Sequence, residues 1–334
     1  MLKGALFGAG NVAVNGHLPG WRGRTEATLV AGADTRDAGR AAFLDAFPKA
    51  RWYGSAQELL AAEALDFVDI ATAPAAHAGL VRAALERSLH VLCEKPLVLR
   101  REDVAPLATL ARERARALVT VHNWKYAPAL EKVTRLLEEG AVGDVRRCRW
   151  ETLRTQPAVA AGEGGNWRVG PAQSGGGILM DHGWHALYVV AGWLGASPRS
   201  VKAKLETRKH HAFPIEDTAT MTLEYPTASA EIVLTWAAGE RANRIAIEGT
   251  LGKLRLDGGR VTLAGAAGKQ SWSLPSIAEG SHHPEWFGGV LLEFLGEIAD
   301  PGMRGRNLTE AAFCADALEQ ARESSRLGGK SLPL

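Results

Sequence analysis

The sequence is poor in cysteine and has no strong charge imbalance. Its 334 residues include three cysteines, and Lys plus Arg number 39 against 37 for Asp plus Glu. Cys93, Cys148 and Cys314 are far apart and form no CxxC pair, which favours a reducing compartment and argues against a disulfide framework or a thiolate zinc site. Charges of both signs are interspersed rather than gathered in blocks, so the sequence gives no reason to expect a nucleic-acid partner.

Long hydrophobic runs are also missing. No apolar stretch reaches the roughly 18 residues that a membrane-spanning helix needs. The opening segment, MLKGALFGAGNVAV, is apolar, but glycines and Asn11 interrupt it, which indicates a buried strand and turn rather than a targeting peptide. We therefore expect a cytoplasmic protein with no membrane partner. A chain of 334 residues is too long for most single cores, which predicts two domains.

The first 122 residues alternate short apolar runs with segments of helical spacing. The runs have the length of strands buried on both faces, and segments such as AAHAGLVRAALERS separate them. This alternation predicts an α/β fold with an N-terminal, doubly wound parallel sheet over residues 1–122. The apolar runs are KGALFG, TLVAGAD, DFVDIATA, HVLCEK and ALVTVHN.

Residues 123–334 show a different pattern, with apolar side chains at every second position. In TATMTLEYPTASAEIVLTW this alternation continues on both sides of a Pro226-Thr227 turn, and RIAIEG, GKLRLDG and GRVTLAG extend the series. It predicts a C-terminal α+β domain with a large open-faced, mainly antiparallel sheet, closed by helices near 286–299 and 308–327. A single sheet leaves one face exposed, so we expect a homo-oligomer, a dimer or tetramer, built on apolar area around 218–237.

The first predicted strand runs directly into Gly8-Ala9-Gly10-Asn11-Val12-Ala13. In a dinucleotide-binding turn the first glycine allows the bend, the second lets a pyrophosphate approach the backbone, and a small third residue lets helix and strand pack. The phosphates then lie at the helix N-terminus. Asp34 ends the second strand about 20 residues further on, where a ribose-binding acid is expected. We predict NAD as cofactor, with NADP possible because Arg36 could accept its extra phosphate.

A run of three glycines precedes the densest group of ionisable residues, in SGGGILMDHGWH (174–185). Asp181 and His185 are four apart and share one face of a helix, where His182 is also a neighbour. The residues by themselves allow a metal site, an acid/base site or a polar helix start. Adjacent Asp181 and His182 diverge by about 100° on an α-helix, and no HExxH or cysteine pair accompanies them, so we expect no metal, even with the His210-His211 and His282-His283 pairs available.

With these motifs in place, the chain resembles the glucose-fructose oxidoreductase / inositol dehydrogenase / MocA family of NAD(P)-dependent enzymes. The resemblance covers nearly the whole chain and implies a Rossmann domain followed by an open-faced sheet domain that usually mediates oligomers. It also implies an enzyme that moves hydride between a nicotinamide and a CH–OH group of a sugar, polyol or cyclitol-like substrate. The supporting motifs are GAGNVA with Asp34, IATAPAAH (70–77), HVLCEKP (90–96), HNWKYAP (122–128), GAVGDV (140–145), NWR (166–168), SGGGILMDHGWH (174–185) and IEGTLGKLRL (247–256).

The same resemblance implies roles for individual residues. Lys95 matches the lysine that touches nicotinamide and substrate, Asp181 the acid that orients substrate, and His185 the acid/base histidine; which of Lys95 and His185 carries the proton stays open. The implied cofactor-binding residues are Gly8, Gly10, Asn11, Val12, Asp34, Arg36, Thr72, Pro74, His77, Glu94, Lys95 and Asn123. The implied substrate-binding residues are Lys95, Trp124, Lys125, Trp167, Arg168, Asp181, His182 and His185.

Two positions depart from the family pattern. Lys125 stands where the family often has arginine, and Tyr188 stands where it often has an acid, three residues after the histidine. Two other functions stay open. One is a redox-assisted glycosidase or lyase, in which tightly held NAD oxidises and then reduces the sugar within each turnover. The other is a non-catalytic NAD-binding regulatory protein, which the presence of Lys95, Asp181 and His185 disfavours.

Overall fold

A computed structural model describes residues 1–158, 166–195, 197–266, 268–280 and 282–334. Contacts between Cα atoms divide these residues into two compact units. The first unit contains residues 1–123, 166–167 and 282–315, and the second contains the rest of the described chain. The sequence predicts a long loop over residues 156–177, and residues 159–165 of that stretch lie outside the described set. None of the helices in the described part of the chain has the length and apolarity needed to cross a bilayer.

The first unit is built on a six-stranded parallel sheet. Its strands are β1 (Leu2–Phe7), β2 (Ala27–Ala33), β3 (Arg51–Tyr53), β4 (Phe67–Ile70), β5 (His90–Cys93) and β6 (Leu118–Thr120). They pair in the order β3-β2-β1-β4-β5-β6, with every neighbouring pair parallel. The order reverses between β1 and β4, and in such sheets ligands bind outside the carboxyl ends of the strands at that point. The predicted doubly wound sheet is confirmed.

Helices connect these strands, as the alternating pattern predicts. They are α1 (Leu18–Trp21), α2 (Arg40–Ala46), α3 (Ala56–Ala62), α4 (His77–Glu86) and α5 (Val104–Glu113). A π-helical turn over Ala13–His17 leads into α1, so the helix that follows the GAGNVA turn is irregular from its start. Hydrophobic spacing did not identify β3 or α5. β3 is three residues long, which is too short to show a period.

The second unit is built on a nine-stranded mixed sheet, and the strands and α-helices that follow β6 in the chain lie in either unit. In chain order they are α6 (Pro128–Glu138), β7 (Val145–Leu153), α7 (Pro171–Ser174), α8 (Trp184–Leu194), β8 (Ser200–Glu206), β9 (Thr218–Glu224), β10 (Ser229–Thr235), β11 (Ala242–Gly249), β12 (Gly252–Asp257), β13 (Arg260–Gly265), β14 (Gly268–Ser273), α9 (Pro284–Ala299), α10 (Arg306–Arg326) and β15 (Leu332–Pro333). The sheet order is β14-β13-β12-β11-β7-β10-β9-β8-β15. β10 pairs with β7 in parallel and the other neighbours are antiparallel. The predicted open-faced, mainly antiparallel sheet is confirmed.

One face of this second sheet is a hydrophobic core. The residues that alternation assigned to one face on β9 and β10 are all buried, and the Pro226-Thr227 turn joins the two strands. Burying a Leu, Ile, Met or Val side chain contributes about 1.5–3 kcal/mol, so this face supplies a large share of the second unit's stability. The buried residues are Ala219, Met221, Leu223, Tyr225, Ala230, Ile232, Leu234 and Trp236.

The other face of the sheet is polar rather than apolar. Strand register places one row of residues side by side across it: Lys202, Thr222, Glu231, Arg149, Ala246 and Arg255. Ion pairs such as Arg149–Glu151 at 2.8 Å and Lys253–Glu248 at 2.9 Å cover the surface. The expected apolar area is therefore wrong as a physical reason for association, because polar and charged side chains occupy most of the outward-facing positions. Oligomerisation itself stays a prediction.

Helix α9 belongs to the first unit, although it comes late in the sequence. Its Phe294 ring lies 5.7 Å from that of Phe67 and 6.5 Å from that of Trp21. At Gly20 an added Cβ would come within 2.4 Å of the Phe287 ring, so the absence of a side chain lets α1 and α9 approach closely. The sequence-based domain boundary at residues 122–123 stays a prediction.

Candidate active site

The turn after β1 contains two glycines with different surroundings. Gly8 has φ +87°, and a Cβ there would lie 2.9 Å from the Ala71 carbonyl beyond β4, so the fold itself requires glycine. Gly10 has no heavy atom within 4 Å of an added Cβ. The chain's own atoms therefore leave space at Gly10, beside the helix start at Asn11. This is the space that a pyrophosphate approaching the backbone would use.

Asp34 follows β2 and holds the glycine turn through its carboxylate. Oδ2 accepts from the Ala9 backbone N–H at 2.8 Å, and Oδ1 accepts from that of Arg36 at 2.9 Å. Two oxygens offer about four acceptor sites, so the carboxylate can still accept from ribose hydroxyls. The Arg36 side chain is 57% exposed and its Nε lies 3.9 Å from Oδ1, whereas the Asp34 side chain is 11% exposed.

All the predicted cofactor residues lie just beyond the carboxyl ends of strands in the first sheet. Because those ends meet at one edge of a parallel sheet, the fold brings the predicted residues together there. Gly8, Gly10, Asn11 and Val12 follow β1; Asp34 and Arg36 follow β2; Thr72, Pro74 and His77 follow β4; Glu94 and Lys95 follow β5; and Asn123 follows β6.

His77 is fully buried and ties together the loops after β4 and β5. Its Nδ1 lies 2.7 Å from the Pro96 carbonyl oxygen, and its Nε2 lies 3.0 Å from that of Thr72. Burial lowers the pKa of His77. Both ring nitrogens thus face the protein's own backbone, so this arrangement would let His77 support the cofactor site through Thr72 and Pro96.

Lys95 follows a buried charge network. Its backbone N–H donates to Glu94 Oε2 at 2.9 Å, and Glu94 Oε1 lies 3.1 Å from Nε2 of His17. The opposite nitrogen of His17, Nδ1, lies 2.9 and 3.0 Å from the two oxygens of Asp69. Trp21 donates its indole N–H to the same Asp69 carboxylate at 2.7 Å. Glu94 is therefore turned toward the protein interior, where it holds the loop that carries Lys95.

Two carboxylates give His17 an unusual protonation. Burial lowers the pKa of His17, but the charges and hydrogen bonds of Asp69 and Glu94 outweigh it and raise the pKa to about 10. The imidazolium is thus a buried cation between two anions, and the Phe287 ring stacks on it at 4.2 Å. From the sequence alone, His17 is predicted to be structural or to line the edge of the cleft. The network around it could not be predicted from residue types because its members are far apart in the chain.

The second unit holds the Asp181, His182 and His185 group. A π-helical turn over Leu179–Gly183 precedes α8, so the α-helical spacing assumed from the sequence does not apply to Asp181 and His182. Their side chains approach to 3.6 Å, Nε2 to Oδ2, instead of diverging. His185 is buried and stacks on Trp124, with ring centroids 4.7 Å apart and 14° between the planes. The structure thus brings together four of the predicted site residues.

Tyr188, one turn after His185, contacts the same group. Its hydroxyl lies 2.9 Å from His185 Nδ1 and accepts from the Trp124 backbone N–H at 3.0 Å. Lys125 Nζ lies 6.0 Å from the centre of the Tyr188 ring, at the outer limit of a cation–π contact. The sequence marked Tyr188 only as a departure from a family pattern, and its contacts depend on how α8 faces the 123–126 turn.

The glycine run before Asp181 packs against the protein itself. A Cβ on Gly177 would lie 1.8 Å from the Glu216 carbonyl oxygen, and one on Gly176 would lie 2.6 Å from an Arg322 side-chain nitrogen. The Glu216 carboxylate accepts from the backbone N–H groups of Gly177 at 2.9 Å and Leu179 at 3.1 Å. From the sequence, these glycines are expected to bring the backbone close to a bound nicotinamide and substrate; Gly176 and Gly177 instead pack closely against other parts of the second unit.

Arg154 is a buried residue near Asp181 that sequence reasoning missed. Its guanidinium donates to the carbonyls of Leu153 and Ala242 and to the Asn243 side chain, at 2.8, 3.0 and 2.9 Å. Burial and the nearby charge of Arg241 lower its pKa to about 10, against the opposing carboxylate of Asp181. The sequence does contain a signal for this residue. Arg154, one residue after β7, continues the alternation of buried residues Cys148, Trp150 and Thr152.

The remaining predicted substrate residues, Trp167 and Arg168, lie in a short 3₁₀ turn over Trp167–Val169, and both are half-buried. Trp167 falls in the first compact unit and Arg168 in the second. Among the residues that the structure describes, no group of three or more His, Cys, Asp or Glu side chains is placed to hold a metal ion.

Comparison with known proteins places the chain in a family. Residues 2–122 match the oxidoreductase family with an NAD-binding Rossmann fold, and residues 130–255 match the GFO/IDH/MocA C-terminal domain. The chain belongs to the GFO/IDH/MocA oxidoreductase family. As a member of this family it is an NAD-dependent oxidoreductase, and the turn at Gly10, the helix start and Asp34 form a site that fits the dinucleotide.

Individual GFO/IDH/MocA relatives differ in substrate. D-apiose dehydrogenase of Paraburkholderia graminis is 32% identical over 267 residues, covering 76% of this chain and 67% of the relative. Trans-1,2-dihydrobenzene-1,2-diol dehydrogenase of Xenopus laevis is 28% identical, covering 69% of this chain and 67% of the relative. An Agrobacterium radiobacter oxidoreductase, solved with NAD⁺, L-tartaric acid and magnesium, has the same fold, with a TM-score of 0.86, 24% identity and coverage of 99% and 98%.

Proposed function

We propose that the chain oxidises a secondary hydroxyl of a sugar, polyol or cyclic diol, with NAD as hydride acceptor. The observation that carries this proposal is the group of polar side chains around buried His185. His185 stacks on the Trp124 ring, His182 meets that ring edge-on with centroids 6.0 Å apart, and the Asp181 carboxylate lies 3.6 Å from His182. A few polar groups beside an aromatic side chain are typical of sites for small polar ligands. The named activities of two relatives, on D-apiose and on a dihydrodiol, support the same substrate class.

Oxidation of a hydroxyl group to a carbonyl removes a hydride from the carbon and a proton from the oxygen. NAD bound at this site would supply the hydride acceptor, and the protein's own part is to accept the hydroxyl proton as the carbon–oxygen bond becomes a carbonyl. In our proposal Lys95 and His185 share the acid/base work, and Asp181 accepts from a neighbouring hydroxyl to orient the substrate. Positioned proton transfer of this kind contributes about 10²–10⁴ in rate.

A substrate panel tests this proposal. The purified chain is given NAD with D-apiose, trans-1,2-dihydrobenzene-1,2-diol, inositols, aldoses, linear polyols and glycosides, and the absorbance of reduced nicotinamide is followed. We expect steady reduction of NAD with at least one polyhydroxylated compound, and none with simple alcohols that lack a neighbouring hydroxyl. Bond cleavage of a glycoside without net NAD reduction would instead identify the redox-assisted hydrolase or lyase.

A further inference from the structure

The hydroxyl of Tyr188 joins the acid/base histidine to the backbone. Tyr188 is 2% exposed, so its hydroxyl must find its partners within the protein. It lies 2.9 Å from His185 Nδ1 and 3.0 Å from the backbone nitrogen of Trp124. The Tyr188 ring meets the His185 ring edge-on, at 5.8 Å and 76°, which places the hydroxyl beside Nδ1.

The direction of one of these hydrogen bonds is fixed by chemistry. Trp124 lies in the 3₁₀ turn Asn123–Tyr126, and the first N–H groups of a helical turn have no partner within it. A backbone N–H can only donate, so the Tyr188 oxygen accepts. A hydroxyl oxygen that accepts a hydrogen bond is polarised and becomes a better donor through its own hydrogen. That hydrogen is therefore best used toward Nδ1 of His185.

The histidine ring is held in one orientation. It stacks on the Trp124 indole at 4.7 Å with an interplanar angle of 14°, and the residue is 6% exposed. A neutral imidazole has one donor nitrogen and one acceptor nitrogen. If Nδ1 accepts from Tyr188, the ring hydrogen is on Nε2.

We propose that Tyr188 is a positioning residue that holds neutral His185 with its hydrogen on Nε2. This inference rests on the proposed function of His185 and assigns its part in that reaction. Neutral His185 then donates from Nε2 to the reacting substrate oxygen and stabilises the negative charge that develops there. Of the two groups given the acid/base work, Lys95 as the neutral amine then takes the hydroxyl proton. A carboxylate at position 188 would have the opposite effect, because it would accept from Nδ1–H and leave Nε2 as a base.

The tautomer can be measured without any substrate. Correlation of imidazole ¹⁵N and ¹H signals by NMR distinguishes a protonated from an unprotonated ring nitrogen, at a pH where the ring is neutral. The His185→Gln variant identifies the His185 signals by their loss. We expect the hydrogen on Nε2 and an unprotonated Nδ1 in the wild-type chain. A hydrogen on Nδ1 would overturn the proposal, whether or not the chain turns over a sugar.

Two hydroxyl deletions then show whether Tyr188 is responsible. Tyr188→Phe should produce a mixture of tautomers, whereas Tyr225→Phe, which removes another buried tyrosine hydroxyl in the same unit, should leave the His185 signals unchanged. An unchanged tautomer in Tyr188→Phe would refute the role of the hydroxyl. If Tyr188→Phe does not fold, the wild-type spectrum still decides which nitrogen carries the hydrogen.

Kinetics connect the tautomer to the reaction. With a substrate from the panel, Tyr188→Phe should lower kcat about tenfold at nearly unchanged KM, since a mispositioned donor loses part of the 10²–10³ that an oxyanion donor contributes. A rise in KM at constant kcat would indicate a role in substrate binding instead. A panel without any substrate would contradict the proposed function but leave the tautomer measurement intact.

Discussion

At the scale of single residues, some roles follow from residue type and others from neighbours. Asp34 was identified by its chemistry at the end of a strand and Lys95 by the resemblance to a family, and the fold places both at the carboxyl edge of the first sheet. His17 and Tyr188 act through partners that the sequence does not reveal. His17 is held by Asp69 and Glu94, and Tyr188 by His185 and Trp124.

Removal of either acid/base side chain should stop turnover without preventing cofactor binding. We expect Lys95→Ala and His185→Ala each to lower kcat by at least about 100-fold, because each removes a positioned proton carrier or donor. Calorimetry should show NAD binding within a few-fold of wild type. Exposed Lys49→Ala and His211→Ala are matched controls and should retain activity. Near-normal kcat in either site variant would remove that residue from the mechanism.

Asp34 should make NAD the preferred cofactor. The 2′-phosphate of NADP carries about −1.5 to −2 charge. At about 5 Å and an effective dielectric near 20, each unit of this charge is repelled by the Asp34 carboxylate with about 3 kcal/mol before screening. Arg36 offsets part of this repulsion, but its side chain is largely exposed and its Nε lies 3.9 Å from the Asp34 carboxylate. We expect kcat/KM at least about tenfold higher with NAD, which requires about 1.4 kcal/mol.

The Asp34→Asn variant separates charge from geometry at this position. An amide oxygen can still accept from the Ala9 backbone N–H, so the glycine turn keeps its partner, while the negative charge and the acceptor for the Arg36 N–H are lost. The ratio of efficiencies with NAD and NADP should fall toward one, and the exposed Asp45→Asn variant should leave it unchanged. Equal or better efficiency with NADP in the wild type would show that Arg36 governs the adenosine pocket.

At the scale of elements, the helix start that carries Asp181 depends on close backbone packing. Glu216 accepts from two backbone N–H groups of this start, and its carbonyl lies against Gly177. Arg322 donates to the Gly175 carbonyl and fills the space beside Gly176. The glycines are thus part of a packed joint between α7 and α8, which local sequence could not distinguish from a ligand-contacting loop.

We expect Gly177→Ala to lower both Tm and kcat. Its Cβ would lie 1.8 Å from a backbone oxygen, so the chain must shift and Asp181 moves with it. Gly192→Ala, in the same helical region, has nothing within 4 Å of the new Cβ and should be neutral or stabilising by about 0.5–1 kcal/mol. Thermal unfolding and steady-state kinetics check both. Unchanged Tm and activity in Gly177→Ala would show that the loop adapts freely.

At the scale of the whole molecule, the buried charges predict a pH dependence of stability. The pKa of His17 is about 10 in the folded chain against 6.5 unfolded. The folded state therefore binds this proton more tightly, and the stabilisation is complete below about pH 6.5 and is lost as the pH rises through 10. We expect the Tm difference between wild type and His17→Gln to shrink from pH 6.5 to pH 10.

His211→Gln, an exposed histidine variant, serves as the control for that series and should follow the wild-type curve. Below pH 6.5 a second histidine contributes, because burial lowers the pKa of His90 to about 4. The unfolded chain then binds this proton more readily than the folded chain, so stability falls between pH 6.5 and 4. The alkaline range is therefore the informative one for His17. A constant Tm difference across it would contradict a buried imidazolium.

The oligomeric state is a further property of the whole molecule. The open sheet face carries ion pairs such as Arg149–Glu151 and Lys253–Glu248, so association through it would desolvate charges and be screened by salt. We expect at least a dimer by light scattering at micromolar concentration and low salt, with a lower mean mass at high salt. A monomer under all conditions would refute the prediction, and a dimer insensitive to salt would place the interface elsewhere.

The sequence by itself determined the class of both sheets, the glycine turn after β1, the acid after β2 and the grouping of Asp181 with His185, while Lys95 was proposed from the resemblance to a family. These are local signals, because a strand repeats every two residues, a helix every 3.6, and a turn depends on a few neighbouring residues. Only the tertiary structure decided the partners. His17 meets Glu94 across 77 residues of chain, and Trp124 meets Tyr188 across 64. The packing of α9 against Trp21 and Phe67 also depends on contacts between distant segments, whose energies no local pattern records.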